Sequence, residues 1–180
     1  MYLMTCTGPD LAYPLSLLAR YMTPSRHRKV HWDAAKRVLR YLCSTSGMGL
    51  VLGGRGPVVL TGHADASWVD DSATQRPSQG YTFSLGSGSV SWRSTHLSSV
   101  LSSSCEAEIY AGAMTAQELR WLTYLLTDLG EQPHSPPQRG RLRLAYVATR
   151  ANTADILALR LAYVANFVFH LVIISATLLC

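Results

Sequence analysis

Residues 102–130, SSSCEAEIYAGAMTAQELRWLTYLLTDLG, decide the fold because their spacing predicts one long amphipathic helix. Ser103 can cap the first turn, and Glu106, three residues later, can complete a capping box. Gly130 stands where such a helix usually ends. Glu108 lies close in angle to the apolar face, where a carboxylate is costly unless it binds a cation or a hydrogen-bond donor. The residues that predict this buried face recur three and four positions apart: Ile109, Ala113, Ala116, Leu119, Leu122 and Leu126.

The segment before this helix has the pattern of a small β-sheet. Residues 58–65, 80–85 and 89–94 are short runs separated by turn-forming residues, and the last two runs indicate a hairpin. Three strands followed by a helix predict the front half of an α/β or α+β sheet domain. Residues 31–43 predict an earlier amphipathic helix, whose apolar side comprises Trp32, Ala35, Val38, Leu39 and Leu42. The glycines between that helix and the first strand predict turns and a domain boundary.

Composition restricts the class of protein. The chain has 180 residues, of which 48% are hydrophobic and 15% charged, enough for one domain with a sizeable core and unlike a disordered chain. Four widely spaced cysteines form no metal-ligand pattern and favour free thiols. The net charge is +5, and its excess of arginine suits phosphate contacts. We take five clustered basic residues as candidates for nucleic-acid binding: Arg26, Arg28, Lys29, Arg37 and Arg40.

The two ends of the chain differ in apolar character. The first 22 residues contain a short apolar run but have no basic start and include Asp10 and Pro14, which argues against a cleavable signal peptide. Residues 161–180 carry no formal charge and just reach the length of a membrane span. Asn166 and His170 count against a span, so a packed apolar tail and a membrane segment both stay open.

Three acidic residues occupy positions that suit a metal site. Asp65 ends the first predicted strand, Glu108 lies in the long helix, and Asp155 opens a helix predicted after a last strand at residues 141–147. Carboxylates that converge at one end of a sheet suit Mg²⁺, and two such ions support phosphodiester cleavage. Spacing alone is also explained by a turn residue, a solvated helix carboxylate and an N-cap.

Six motifs, in order along the chain, resemble the C-terminal part of copia-type retrotransposon polyproteins. They are MYLMTCTGPDLAY, HWDAAKRVLRYL, GHADASWVDD, SQGYTFSLGSGSVSW, LSSSCEAEIYAGAMTAQELRWLTYLL and AYVATRANTADI. The resemblance runs from residue 1 to about residue 157. It implies a tail of the reverse transcriptase and its connection in residues 1–57 and a ribonuclease H domain in 58–157. Residues 158–180, beyond the resemblance, are an apolar tail by composition.

The same resemblance implies a catalytic set. In that family a ribonuclease H fold cuts the RNA strand of an RNA–DNA hybrid with four acidic residues and two Mg²⁺ ions. Asp65, Glu108 and Asp155 match three of the four, Glu106 matches a neighbouring non-catalytic acid, and Ser67 stands where relatives often have a second aspartate.

One part of the family pattern has no counterpart in this chain. Relatives carry a further metal-binding aspartate on a strand with a YVDN-like motif, and a helix follows it. Here no Asp or Glu occurs between Glu131 and Asp155. The resemblance therefore implies an incomplete ribonuclease H-like fold, a three-stranded antiparallel unit plus the long helix. It lacks one strand and one helix and has little or no nuclease activity. Residues 141–147 could fill the open sheet edge by pairing with residues 58–65.

A second resemblance comes from Arg37, Val38, Leu39 and Arg40, which spell RxLR. Retroelement-derived reading frames of this type resemble secreted RxLR effectors of downy mildews, which are oomycetes. Such effectors act inside plant cells, often by suppressing cell death, which implies secretion and a plant host protein as partner. The retroelement interpretation implies a nuclear or cytoplasmic protein with a nucleic-acid partner. A weak Mg²⁺-dependent endonuclease acting on RNA–DNA hybrids is the remaining alternative.

Overall fold

The computed structural model describes residues 2–26, 28–53, 59–67 and 76–131. In these ranges, short helices precede a three-stranded sheet, and one long helix follows it. The elements are α1 (Tyr2–Cys6), a 3₁₀ turn (Pro9–Leu11), α2 (Ala12–Ala19), α3 (Lys29–Ser44), β1 (Leu60–Ser67), β2 (Ser78–Leu85), β3 (Gly88–His96) and α4 (Ser104–Asp128).

The sheet confirms the predicted three-stranded antiparallel unit. Its strand order is β1-β2-β3, with both pairs antiparallel. β1 continues two residues past the predicted end at Asp65, because Ala66 and Ser67 still pair with β2. β2 and β3 form the predicted hairpin, and Gly86 in its turn has a φ of 63°. Such a positive φ favours glycine, which has no Cβ to clash with the backbone.

The long helix α4 packs on one face of this sheet. Gly62 on β1 leaves room for the ring of Phe83 on β2, since a Cβ at this position would lie 2.4 Å from that ring. Phe83 is fully buried, and its ring meets the Tyr81 ring edge-on with centroids 5.6 Å apart. The main core cluster between helix and sheet is Leu60, Tyr81, Phe83, Leu119, Leu122 and Leu126.

Both ends of α4 are capped. The Ser103 hydroxyl accepts the Glu106 N–H at 3.2 Å, as predicted. The Glu106 carboxylate accepts from the N–H and hydroxyl of Ser102, at 2.9 Å each, so the reciprocal bond reaches one residue beyond the N-cap. At the other end Gly130 has a φ of 81°, and the N–H of Glu131 donates to the carbonyl of Leu126 at 2.9 Å. This is the Schellman pattern that Gly130 predicted.

The predicted buried face of α4 is wrong in its first half. Ile109 is 64% exposed, and Ala113 is also exposed. Thr115 takes a buried position instead, because its hydroxyl donates to the carbonyl of Ala111 at 2.7 Å and is satisfied within the helix. Small side chains fit this end of the sheet, where a second cluster forms. It comprises Ala66, Leu101, Ala107 and Ala111.

The N-terminal helices contact the opposite face of the sheet. The indole N–H of Trp92 on β3 donates to the carbonyl of Met4 in α1 at 2.7 Å. The hydroxyls of Ser16 in α2 and Ser94 on β3 are 3.4 Å apart. Ser91, which alternates with Trp92 along the strand, instead donates to Glu118 of α4 at 2.6 Å. Within the described ranges the sheet therefore lies between the N-terminal helices and α4.

Some predictions fall outside the described residues. These are the strand at 141–147, the helix at Asp155 and the apolar segment at 161–180. In the portion that is described, no helix combines the length and apolar character needed to cross a membrane. The domain boundary between residues 57 and 58 and the deletion of a strand and a helix stay predictions.

Candidate functional site

Two of the three predicted metal-site carboxylates are buried, one on β1 and the other on α4. Asp65 on β1 is 9% exposed, and Glu108, in the second turn of α4, is 5% exposed. Their chain neighbours Ala66 and Ala107 belong to the same core cluster, so β1 and α4 pack directly there, and strand alternation turns the Asp65 side chain to the face of the sheet opposite Ala66. Carboxylates are seldom buried to this extent without a cation, a donor or a shared proton, because removing the charge from water is costly.

The third predicted carboxylate, Asp155, lies outside the described residues. Among the residues that are described, no three His, Cys, Asp or Glu side chains come close enough to share a metal ion. Ser67 stands where, by the family resemblance, a second aspartate is often found. It ends β1 two residues after Asp65 and is half-buried. Strand alternation places Ser67 and Asp65 on the same face of the sheet.

Sequence reasoning missed His63, which precedes Asp65 by two residues on β1. Alternation places both side chains on the same face, so the signal was already present in the HAD sequence of residues 63–65. His63 is half-buried, and its Nδ1 has no hydrogen-bond partner among the described residues. Burial lowers the pKa of this imidazole below 6.5 because the protonated form is poorly solvated there.

The candidate nucleic-acid residues lie on the solvent side of α3 and the turn before it. The N–H of Arg28 donates to Nδ1 of His31 at 3.0 Å, and the His31 ring stacks on Tyr21 with centroids 3.8 Å apart. These contacts fix the start of the helix. All five predicted basic residues are exposed: Arg26, Arg28, Lys29, Arg37 and Arg40.

The RxLR sequence lies in the middle of α3. Arg37, Leu39 and Arg40 are exposed, whereas Val38 is 6% exposed and packs inward. The three residues that define the motif are thus accessible, and its variable position is the one that anchors the helix. The predicted apolar side of α3 is wrong in part, because Leu39 and Trp32 face solvent.

A separate cavity of about 740 Å³ lies between the N-terminal helices and strands β2 and β3. Asp10, Tyr41 and Thr82 line it, and the Tyr41 hydroxyl donates to the Asp10 carboxylate. None of the described candidate residues lines this cavity, so it is distinct from the two buried carboxylates.

Comparison with known proteins places the chain among retrotransposon-related sequences. It is 44% identical over 123 residues to the secreted RxLR effector protein 161 of Plasmopara viticola, covering 68% of this chain and 85% of that protein. It is also 38% identical over 130 residues to the retrovirus-related Pol polyprotein from transposon TNT 1-94 of Nicotiana tabacum. The chain belongs to the same family as this effector protein, and it is homologous to a short part of the Pol polyprotein. The polyprotein from transposon RE2 of Arabidopsis thaliana is 40% identical over 131 residues.

The extent of these matches limits what the family relationship implies. The alignments cover 72% and 73% of this chain but only 10% and 9% of the tobacco and Arabidopsis polyproteins. The chain therefore spans about a tenth of each polyprotein. No protein-family model matches the chain. No solved structure matches it either.

Proposed function

We propose that this retroelement-derived chain is a ribonuclease H-like protein that binds RNA–DNA hybrid without cleaving it efficiently. The observation that carries the proposal is the burial of two carboxylates, Asp65 on β1 and Glu108 on α4. These residues match the strand and helix acids that the sequence resemblance implies. The antiparallel order β1-β2-β3 followed by α4 also accords with the front half of that fold.

The ligand set explains the expected loss of catalysis. When bound, Mg²⁺ ions in such a site activate a water molecule and stabilise the leaving oxygen of a phosphodiester. Asp65 and Glu108 are the described residues that would hold a metal, and their buried oxygens are of the hard type that Mg²⁺ prefers. The sequence offers Asp155 as a third ligand and no Asp or Glu between it and Glu131. This set suits at most one weakly held ion.

The test is cleavage of a labelled RNA–DNA hybrid by the full chain, with and without Mg²⁺, beside an intact ribonuclease H of the same family. We expect hybrid binding and no cleavage above the background of Asp65→Asn. Mg²⁺-dependent cleavage that disappears in Asp65→Asn would establish the weak-endonuclease alternative. Absence of hybrid binding by the wild-type chain would remove the nucleic-acid function altogether.

The α3 surface supplies a matched test of binding. Arg37→Gln combined with Arg40→Gln removes two exposed charges from α3, and Arg120→Gln removes one exposed charge from α4. If α3 contacts phosphates, the double variant weakens hybrid binding and reduces the dependence of log affinity on log salt by about 0.9 per lost contact. Arg120→Gln should leave both quantities near those of the wild type.

A second candidate function is that of a secreted RxLR-type effector acting on a plant host protein. Two observations favour it: the 44% identity to the Plasmopara viticola effector, and the exposure of Arg37, Leu39 and Arg40 on α3. The relatives include both a secreted protein and transposon polyproteins, so they are compatible with either location.

Expression of a tagged chain separates this candidate from the first. An effector should be secreted by the producing cell, enter leaf cells and suppress induced cell death. Replacing Arg37, Leu39 and Arg40 with alanine should abolish entry and leave the fold intact, because all three are exposed. Equal suppression by the triple variant, or retention of the wild-type chain in the producing cell, would count against an RxLR role.

A further inference from the structure

The exposed Trp32 lies in the most basic part of the chain. Its side chain on α3 is 65% exposed. Residues 26–40 contain six Lys or Arg residues and one Asp, whereas the whole chain contains 16 and 11. The remaining residues therefore hold ten basic and ten acidic groups, and this short segment accounts for the entire net charge of +5. An exposed indole among so many cations is unlike an ordinary solvated helix face.

Helix geometry arranges these cations along one side of the tryptophan. With 3.6 residues per turn, Lys36 lies one turn after Trp32, and Lys29 lies about one turn before it. Arg40 continues the line, so the three cations extend over roughly 16 Å of the helix axis. Leu39 follows Trp32 by two turns and is 59% exposed. The surface thus pairs an apolar stripe, Trp32 and Leu39, with a parallel basic stripe, Lys29, Lys36 and Arg40.

One acidic residue lies next to this basic stripe. Asp33 forms an ion pair with Lys36, with Nζ and Oδ1 2.7 Å apart. Both side chains are more than a third exposed, so solvent screens the pair and it contributes little to stability. A phosphate can compete for Lys36, while Lys29 and Arg40 carry the rest of the stripe.

We propose that α3 binds single-stranded RNA or DNA, with an unpaired base stacked on Trp32 and the strand's phosphates on Lys29, Lys36 and Arg40. This inference rests on the proposed nucleic-acid function and names the form of nucleic acid that α3 holds. The faces of bases inside a duplex are covered by their neighbours, so an exposed indole gains stacking only from an unpaired base. The excess of six basic residues over one acidic residue in residues 26–40 favours a polyanion such as nucleic acid over a protein partner.

The test compares a single-stranded RNA of about 20 nucleotides with the corresponding RNA–DNA hybrid, by fluorescence anisotropy on the full chain. Trp32→Ala should weaken binding of the single strand about tenfold and leave hybrid binding nearly unchanged. Trp32→Phe, which retains a stacking ring, should recover most of the affinity. Trp121→Ala, on the exposed side of α4, is the matched control and should bind like the wild type.

The outcomes distinguish this inference from the function on which it rests. If Trp32→Ala binds the single strand as well as the wild type, while Lys29→Gln with Arg40→Gln weakens binding, stacking is refuted and nucleic-acid binding stands. If Trp32→Ala weakens both ligands equally, selectivity for an unpaired strand is refuted. If the wild-type chain binds neither ligand, both the inference and the proposed function fail.

Discussion

The helices α3 and α4 differ in how much of their surface the fold uses. α4 buries seven of its 25 residues against the sheet, whereas α3 buries one of its 16, Val38. Packing therefore constrains much of the α4 sequence and little of the α3 sequence. Within the described ranges, packing does not account for the exposed tryptophan and leucine of α3. The comparison indicates that α4 holds the fold together, whereas α3 presents the exposed surface that we propose as the binding surface.

The largest expected difference comes from the same substitution in the two helices. Leu122→Ala removes a buried side chain from the main core cluster and should lower the free energy of unfolding by about 2–5 kcal/mol. Leu39→Ala removes an exposed one and should change it by less than about 0.5 kcal/mol. Urea unfolding followed by circular dichroism measures both. A cost at Leu39 similar to that at Leu122 would mean that α3 is packed as tightly as α4.

Substitutions of the N-cap residues should change the free energy of unfolding less, and in opposite directions for the two helices. Ser103→Ala removes the side-chain acceptor that caps α4 and should cost about 1 kcal/mol. The N-cap residue of α3 is Arg28, whose guanidinium has no acceptor atom for the first amides of the helix. Arg28→Ser should therefore stabilise the chain by about 0.5 kcal/mol or more.

Thermal unfolding of the two variants in the same buffer compares these effects. Arg28→Ser should also weaken nucleic-acid binding slightly, since it removes an exposed cation. A lower melting temperature for Arg28→Ser would show that the arginine side chain has a structural role at the start of α3. An unchanged melting temperature for Ser103→Ala would show that the hydroxyl cap contributes nothing to α4.

The sequence predicts local features, such as the caps of α4, better than it predicts tertiary contacts. Ser103 and Gly130 are readable because capping depends only on neighbouring residues. The first half of the α4 face was misplaced because Glu108 and Thr115 occupy buried positions that a hydrophobic pattern cannot recognise. The contact of Trp92 with Met4 joins residues 88 positions apart, and no local sequence pattern predicts it.

The same contrast between local sequence and tertiary packing applies to the candidate functional residues. Asp65 and Glu108 are predicted site residues because the motifs around them resemble a family; the structure shows that both are buried, and the metal site stays a prediction. The exposure of Trp32 and Leu39 could not be predicted, because helical periodicity gives a face but not what covers it. His63 was overlooked because a single histidine in a strand carries no pattern of its own.

The smallest expected effect tests the sheet face that the N-terminal helices contact. His63 pairs with Thr82, and Thr82 with Trp92, which places His63 on that face. Burial lowers the pKa of His63 in the folded chain below the 6.5 of an unfolded one. Well above pH 6.5 both states are neutral at this position, and the group contributes no pH dependence. As the pH falls below 6.5 the unfolded state binds the proton first, so the free energy of unfolding decreases.

Urea unfolding at about pH 7.5 and about pH 5.5 measures this contribution when His63→Gln is compared with the wild type. The wild type should lose more stability on acidification than the variant, which has no titrating group there. The difference should be modest, because His63 is only half-buried and solvent screens part of its charge. Equal losses in the two proteins would mean that water reaches His63 freely, and that the N-terminal helices cover their face of the sheet less closely than α4 covers the other.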